Sequence, residues 1–149
     1  MAFDQPSLKG RALRLLSGRE HSRTELERKL QRFEEEPGTL ALALDDLQAK
    51  GFISEQRVVE SVVNRRAAKF GASRIKQELE GKGLAPELVA EAVTALRANE
   101  LGRAREVWRK KFEHPPQDAD ERARQMRFLA SRGFGGDTIH RVMSGADED

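Results

Sequence analysis

The chain has 149 residues, of which 38% are apolar and 35% charged, with no cysteine and a formal net charge of only +2. That length suits one ordinary domain or a row of small units. The lack of cysteine excludes disulfides and thiolate metal sites and fits a reducing compartment, so a cytoplasmic protein is expected. No apolar run approaches the ~20 residues needed to cross a bilayer, and residues 1–12 lack the apolar centre of a secretory signal.

Met1 to Ser7 reads as a loose leader. Leu8 to Ser17 forms a first helix, with Leu8, Ala12, Leu15 and Leu16 on one stripe and Gly18 at its end. Ser22-Arg-Thr-Glu25 is a capping box, opening a second helix whose apolar face is Leu26, Leu30 and Phe33. After the acidic run Glu34-Glu35-Glu36 and the Pro37-Gly38 break, Thr39 is expected to cap a third helix carrying Leu40, Leu44 and Leu47. It stops at Gly51-Phe52.

Ser54 caps a longer helix with Val58, Val59, Val62, Val63, Ala67 and Phe70 inward, closed by Gly71. Ser73 is the expected N-cap of the next, with Ile75 and Leu79 on one face. Gly83 ends it as a left-handed residue, and Leu84 packs back on Leu79. Pro86 sits at the first position of a helix carrying Leu88, Val89, Val93 and Leu96. Leu101 to Phe112 follows, with Ala104, Val107 and Trp108 apolar; burial between helices is the expected role of Trp108. The loop at Pro115-Pro116 cannot be helical. Asp118 or Asp120 caps a helix bearing Met126, Phe128 and Leu129, ended by Gly133-Phe134. A last short helix holds Ile139, Val142 and Met143, and the acidic tail 145–149 is expected to fray.

A Leu-x-x-x-Gly-apolar pattern recurs at Leu47/Gly51/Phe52, Leu79/Gly83/Leu84 and Leu129/Gly133/Phe134. The second and third copies align further: Arg74 with Arg124, Lys82 with Arg132, Val89 with Ile139 and Val93 with Met143. The first is out of register, because its Gly-Phe stop ends a third helix and not a second. The expected fold is therefore all-α, with three tandem three-helix repeats over 8–53, 54–98 and 99–144 in an elongated, curved array.

Catalysis finds little support. His21, His114 and His140 are far apart and have no ligand-spaced partners, and no phosphate-binding glycine loop is present. No enzyme activity, cofactor or metal is expected. Binding has a stronger basis. Arg65, Arg66, Lys69, Arg74, Lys76 and Lys82 flank Gly71; Arg103, Arg105, Arg109, Lys110 and Lys111 surround Trp108; Arg122, Arg124, Arg127 and Arg132 follow. If the repeats stack, such cations can form a track for phosphates or acidic side chains. The candidate partner-binding residues are Arg65, Arg66, Lys69, Arg74, Lys76, Lys82, Arg109, Lys110, Lys111 and Arg124.

Four blocks carry a family resemblance. These are Glu20-His21-Ser22 with Glu25-Leu26 and Lys29-Leu30; Leu47-x-x-x-Gly51-Phe52-Ile53-Ser54-Glu55; Gly71-x-x-Arg74-Ile75-x-Gln77-Glu78-Leu79 with Lys82-Gly83-Leu84; and Arg132-Gly133-Phe134 with Ile139 and Val142. In order and spacing, from about Leu13 to Met143, the chain resembles the RecX regulators of RecA recombinase. It departs from their pattern at Ser54-Glu55-Gln56-Arg57-Val58-Val59, where the family usually has an acidic pair and then an Arg-aromatic-Ala run.

The resemblance implies three helical repeats and a modulator, mostly an inhibitor, that lies in the groove of the RecA–DNA filament. Suppressed ATP hydrolysis, strand exchange and repressor self-cleavage would follow. It implies a RecA filament as partner and direct contact with single- or double-stranded DNA; no membrane partner is expected, and a monomer is. Two other readings stay open. Arg74–Leu79, the Gly83 turn and Pro86–Leu96 can pass for a helix-turn-helix of a DNA-binding transcriptional regulator, although Glu87 and Glu91 sit where base-reading residues belong. A scaffold that binds only protein is the third.

Overall fold

A computed structural model describes residues 5–145; most of the expected leader and all but the first residue of the expected tail lie outside them. Nine α-helices are found among the described residues: α1 Leu8–Gly18, α2 Arg23–Leu30, α3 Thr39–Ala49, α4 Glu55–Arg66, α5 Ala72–Gly81, α6 Pro86–Ala98, α7 Glu100–Lys111, α8 Ala119–Ser131 and α9 Gly136–Ser144. A single 3-10 turn, Gln31–Phe33, follows α2.

The helices group in threes, and each triplet has its own core. Ala12, Leu26, Leu30, Leu40, Leu44, Leu47 and Ile53 form the first. Val58, Val59, Val62, Ile75, Leu79, Leu84, Val89 and Leu96 form the second. Ala104, Val107, Trp108, Leu129, Phe134, Ile139, Val142 and Met143 form the third. The helix-period stripes of the sequence therefore point where expected, because a helix of 8 to 13 residues is marginal unless its apolar face is covered. Trp108 is buried, and its indole N–H donates to Gln125 Oε1 at 2.8 Å.

Local signals set most of the helix ends. The Ser22–Glu25 capping box is fully formed. Ser54 and Asp118 each accept from the backbone three residues on. Gly83 and Gly133 take positive φ, 69° and 88°, and turn the chain so that Leu84 and Phe134 fold back into their cores.

Three expected ends are corrected. Thr39 is not a cap: Gly38 holds that position, and the Glu34 carboxylate reaches from outside the helix to accept from Leu40 N–H at 2.9 Å. Gly71 does not close α4, which ends at Arg66. It is instead the N-cap of α5, in place of Ser73. The reason is tertiary. Ala72 N–H donates at 2.7 Å to the carboxylate of Glu100, so the third triplet supplies the cap that Ser73 was expected to provide.

Candidate partner-binding surface

Neighbouring triplets are joined in one recurring way. The turn that ends the middle helix of one triplet docks on the start of the middle helix before it. At the first joint, Ser22 Oγ donates to the carbonyl of Lys82 at 2.7 Å and Arg28 donates to the carbonyl of Gly81 at 2.9 Å. At the second, Gly71 N–H donates to the carbonyl of Arg132 at 2.8 Å and Arg74 donates to the carbonyl of Ser131 at 2.9 Å. The caps Ser22 and Gly71 are thus equivalent, as are the turns 81–83 and 131–133. Both turns leave carbonyls without an intrahelical acceptor role, and the preceding helix supplies their donors.

Charged side chains tighten each joint. Lys82 Nζ lies 3.1 Å from Glu25 Oε2, with both side chains 12% exposed. Burial pushes the Glu25 carboxyl up, but the Ser22 N–H, Arg19 and Lys82 outweigh it and bring its pKa down to about 2. Arg57 of α4 donates to Glu20 at 2.8 Å and to the carbonyl of Gly51 at 2.6 Å. His21 is buried; its Nδ1 donates to the carbonyl of Arg19 and its Nε2 accepts from Lys29 Nζ, each at 3.0 Å. Desolvation holds its pKa below the ordinary value.

Across the second joint Glu100 is buried and accepts from three donors: Ala72 N–H at 2.7 Å, Thr138 Oγ at 2.9 Å and Gly135 N–H at 3.3 Å. Arg103, one turn on, donates to the carbonyls of Phe70, Leu96 and Ala67 at 2.7, 2.8 and 2.9 Å. The α7 helix therefore satisfies the loose ends of α4, α5 and α6 together. Sequence reasoning placed Arg103 among the surface bases and did not single out Glu100. An acid in the first turn of a helix is ordinary, so nothing local marks it.

The candidate contact residues fall into three situations. Lys82 has its ammonium inside the first joint. Arg66 and Arg65 share Glu78 at 3.0 and 3.7 Å, Arg109 pairs with Glu106 at 2.7 Å, and Arg74 has one nitrogen on Ser131 while its guanidinium lies over the Phe70 ring at 4.6 Å. Lys69, Lys76, Lys110, Lys111 and Arg124 are exposed and make no ion pair among the described residues. The helix-turn-helix candidate, α5 and α6, has its turn closed off: Gly83 packs on Thr24 of α2. Among the described residues no helix is long and apolar enough to span a membrane, and no three His, Asp or Glu side chains are placed to share a metal ion.

Three-helix units joined tail to head, with a charged side chain buried at each joint, define a tandem-repeat helical protein. Comparison with known proteins makes this specific. The first, second and third three-helix domains of RecX match residues 9–47, 54–93 and 98–143. Regulatory protein RecX of Leptothrix cholodnii is 54% identical, covering 100% of this chain and 96% of its own. That of Herminiimonas arsenicoxydans is 50% identical, covering 100% and 99%. The crystal structure of RecX from Lactobacillus salivarius superposes with a TM-score of 0.78 at 20% identity over 94% of each chain, a likeness of fold. The chain belongs to the RecX family.

Proposed function

We propose that this protein modulates, chiefly inhibits, a RecA recombinase by lying along its DNA filament. There it suppresses ATP hydrolysis, strand exchange and coprotease activity, and so regulates recombinational repair and the SOS response. The observation that carries the proposal is the match, over the whole chain, to relatives named as regulatory proteins. Two features support it. The joints fix neighbouring triplets relative to one another through several hydrogen bonds each, which suits a partner that itself repeats. The cations that remain exposed and unpaired among the described residues, Lys69, Lys76, Lys110, Lys111 and Arg124, suit DNA phosphates and acidic protein side chains alike. The protein acts by occupying a surface and not by chemistry of its own.

The test is DNA-dependent ATP hydrolysis by RecA on single-stranded DNA, with and without the protein. A lowered rate at near-stoichiometric protein is expected; an unchanged rate at saturation overturns the proposal. Reversing Lys69, Lys110 and Arg124 to Glu together should abolish inhibition with helix content retained. Persisting inhibition would remove those residues from the contact surface.

A further inference from the structure

Three turns of one kind end helices, and two of them are docked. Lys50-Gly51-Phe52, Lys82-Gly83-Leu84 and Arg132-Gly133-Phe134 each run base, glycine, apolar residue, and the glycines have φ of 85°, 69° and 88°. At both joints the neighbouring triplet bonds the carbonyls of the two residues before the glycine: Lys82 and Gly81 at the first, Arg132 and Ser131 at the second. A Cβ on Gly83 would overlap Thr24, and one on Gly133 would overlap Arg74, so a helix start covers each turn. The space beside Gly51 is open. The corresponding carbonyls, of Lys50 and Ala49, accept no hydrogen bond among the described residues. Phe52 is 47% exposed, while Ile53 takes the core position that Leu84 and Phe134 fill in their own triplets.

The start of α8 has the other half of a joint. At the first joint the cap Ser22 donates to the turn, Glu25 three residues on pairs with Lys82, and Arg28 six residues on donates to the second carbonyl. At the second joint the cap Gly71 donates through its N–H, and Arg74 three residues on meets the turn. On α8 the cap is Asp118, with Glu121 three residues on and Arg124 six residues on. Among the described residues the Asp118 N–H and the Arg124 side chain donate to nothing, and Glu121 accepts from the Gln117 N–H without forming an ion pair.

We propose that the Gly51 turn of one molecule docks on the α8 start of a second copy of this chain, repeating between molecules the joint that each makes twice within itself. The Asp118 N–H and Arg124 donate to the carbonyls of Lys50 and Ala49, and Lys50 pairs with Glu121 as Lys82 pairs with Glu25. The charges match: Lys50 is basic, and the α8 start carries Asp118, Asp120 and Glu121. The two halves lie in the first and third triplets, with the second between them, so the partner is another molecule. They are unlike surfaces, so each copy added leaves one turn and one helix start free, and the rows grow without closing. Salt weakens the contact, because an exposed ion pair is part of it. The monomer expected from the resemblance is then the dilute or high-salt species. The contact needs no other protein and does not rest on the RecA reading.

Sedimentation velocity of the full chain alone, over a concentration series at low and high salt, tests this. The mean sedimentation coefficient should rise with concentration without levelling at a dimer, and return to the monomer value in high salt. The turn variant Lys50→Glu, Phe52→Ser and the start variant Glu121→Lys, Arg124→Ala should each lose self-association. Mixed in equal amounts they should form a dimer and nothing larger, because each pair holds one intact turn and one intact start. A native chain that stays monomeric throughout, a series that levels at a dimer, a variant that assembles alone as the native chain does, or a mixture that stays monomeric overturns the proposal. Should Glu121→Lys cost helix content, Glu121→Gln with Arg124→Ala takes its place in the mixture, with the same outcomes.

Discussion

Gly71 and Gly133, in neighbouring triplets, are in backbone contact: a Cβ on Gly71 would overlap the carbonyl of Gly133 and the Cα of Phe134. Gly133 in turn has φ 88°, and a Cβ there would overlap Arg74 Cβ. Gly71→Ala and Gly133→Ala should therefore each destabilise by about 2–4 kcal/mol. Gly102 lies inside α7 with open space where a Cβ would go. Gly102→Ala should stabilise by about 0.5–1 kcal/mol. Urea unfolding of the three variants separates close approach from ordinary helix propensity.

Glu100 is the other half of that joint. Replacing it with Gln exchanges one carboxylate oxygen for an NH2 group that cannot accept from Ala72, Gly135 or Thr138. A loss of about 1–3 kcal/mol is expected, because a buried donor is left unsatisfied. Glu106→Gln, which removes only an exposed pair with Arg109, should change stability by less than about 1 kcal/mol. Equal effects would show that burial at Glu100 does not matter.

Acid should loosen the first joint in two stages. His21 is held below its ordinary pKa of 6.5, so the fold favours the neutral ring. Its contribution is complete above pH 6.5 and is lost as the pH falls through the lower folded value. Glu25 is held at about 2 against an ordinary 4.5. Its contribution, on the order of 2 kcal/mol, is present above pH 4.5 and lost between there and about pH 2. Denaturation midpoints across pH should show both limbs; His21→Gln should remove the upper and Glu25→Gln the lower.

Leu79 is fully buried in the second core, on the helix whose end turn docks on α2. Leu79→Ala should lower stability by about 2–5 kcal/mol. Leu42, 70% exposed on α3, should tolerate the same change within about 0.5 kcal/mol. Thermal melting distinguishes them.

What was legible in the chain was local. The Ser22–Glu25 box, Pro86 at a helix start, the Gly83 and Gly133 turns and the apolar stripes each depend on residues within a turn or two. The misregistered first copy also has a reason. The α2 helix ends in a 3-10 turn without glycine, where α5 and α8 end in a left-handed glycine turn. What stayed hidden depends on distant partners. Glu100 meets Ala72 from 28 residues away, and Arg103 meets Phe70 from 33. Ser73 looked like the cap because the true one belongs to another triplet.

The tail-to-head joints also set the electrostatics of the array. Each brings the carbonyl end of one middle helix to the amide end of another, α8 to α5 and α5 to α2, so unlike poles of successive helix dipoles meet. Among the described residues, two poles of this series remain without a helix partner. The positive one, at the start of α8, carries Asp118, Asp120 and Glu121; the negative one, at the end of α2, carries Arg28 and Lys29. Arg28 and Lys29 are therefore the counter-charge at the open end of a three-helix series. Neutralising them removes favourable interaction with that pole, whether or not anything is bound.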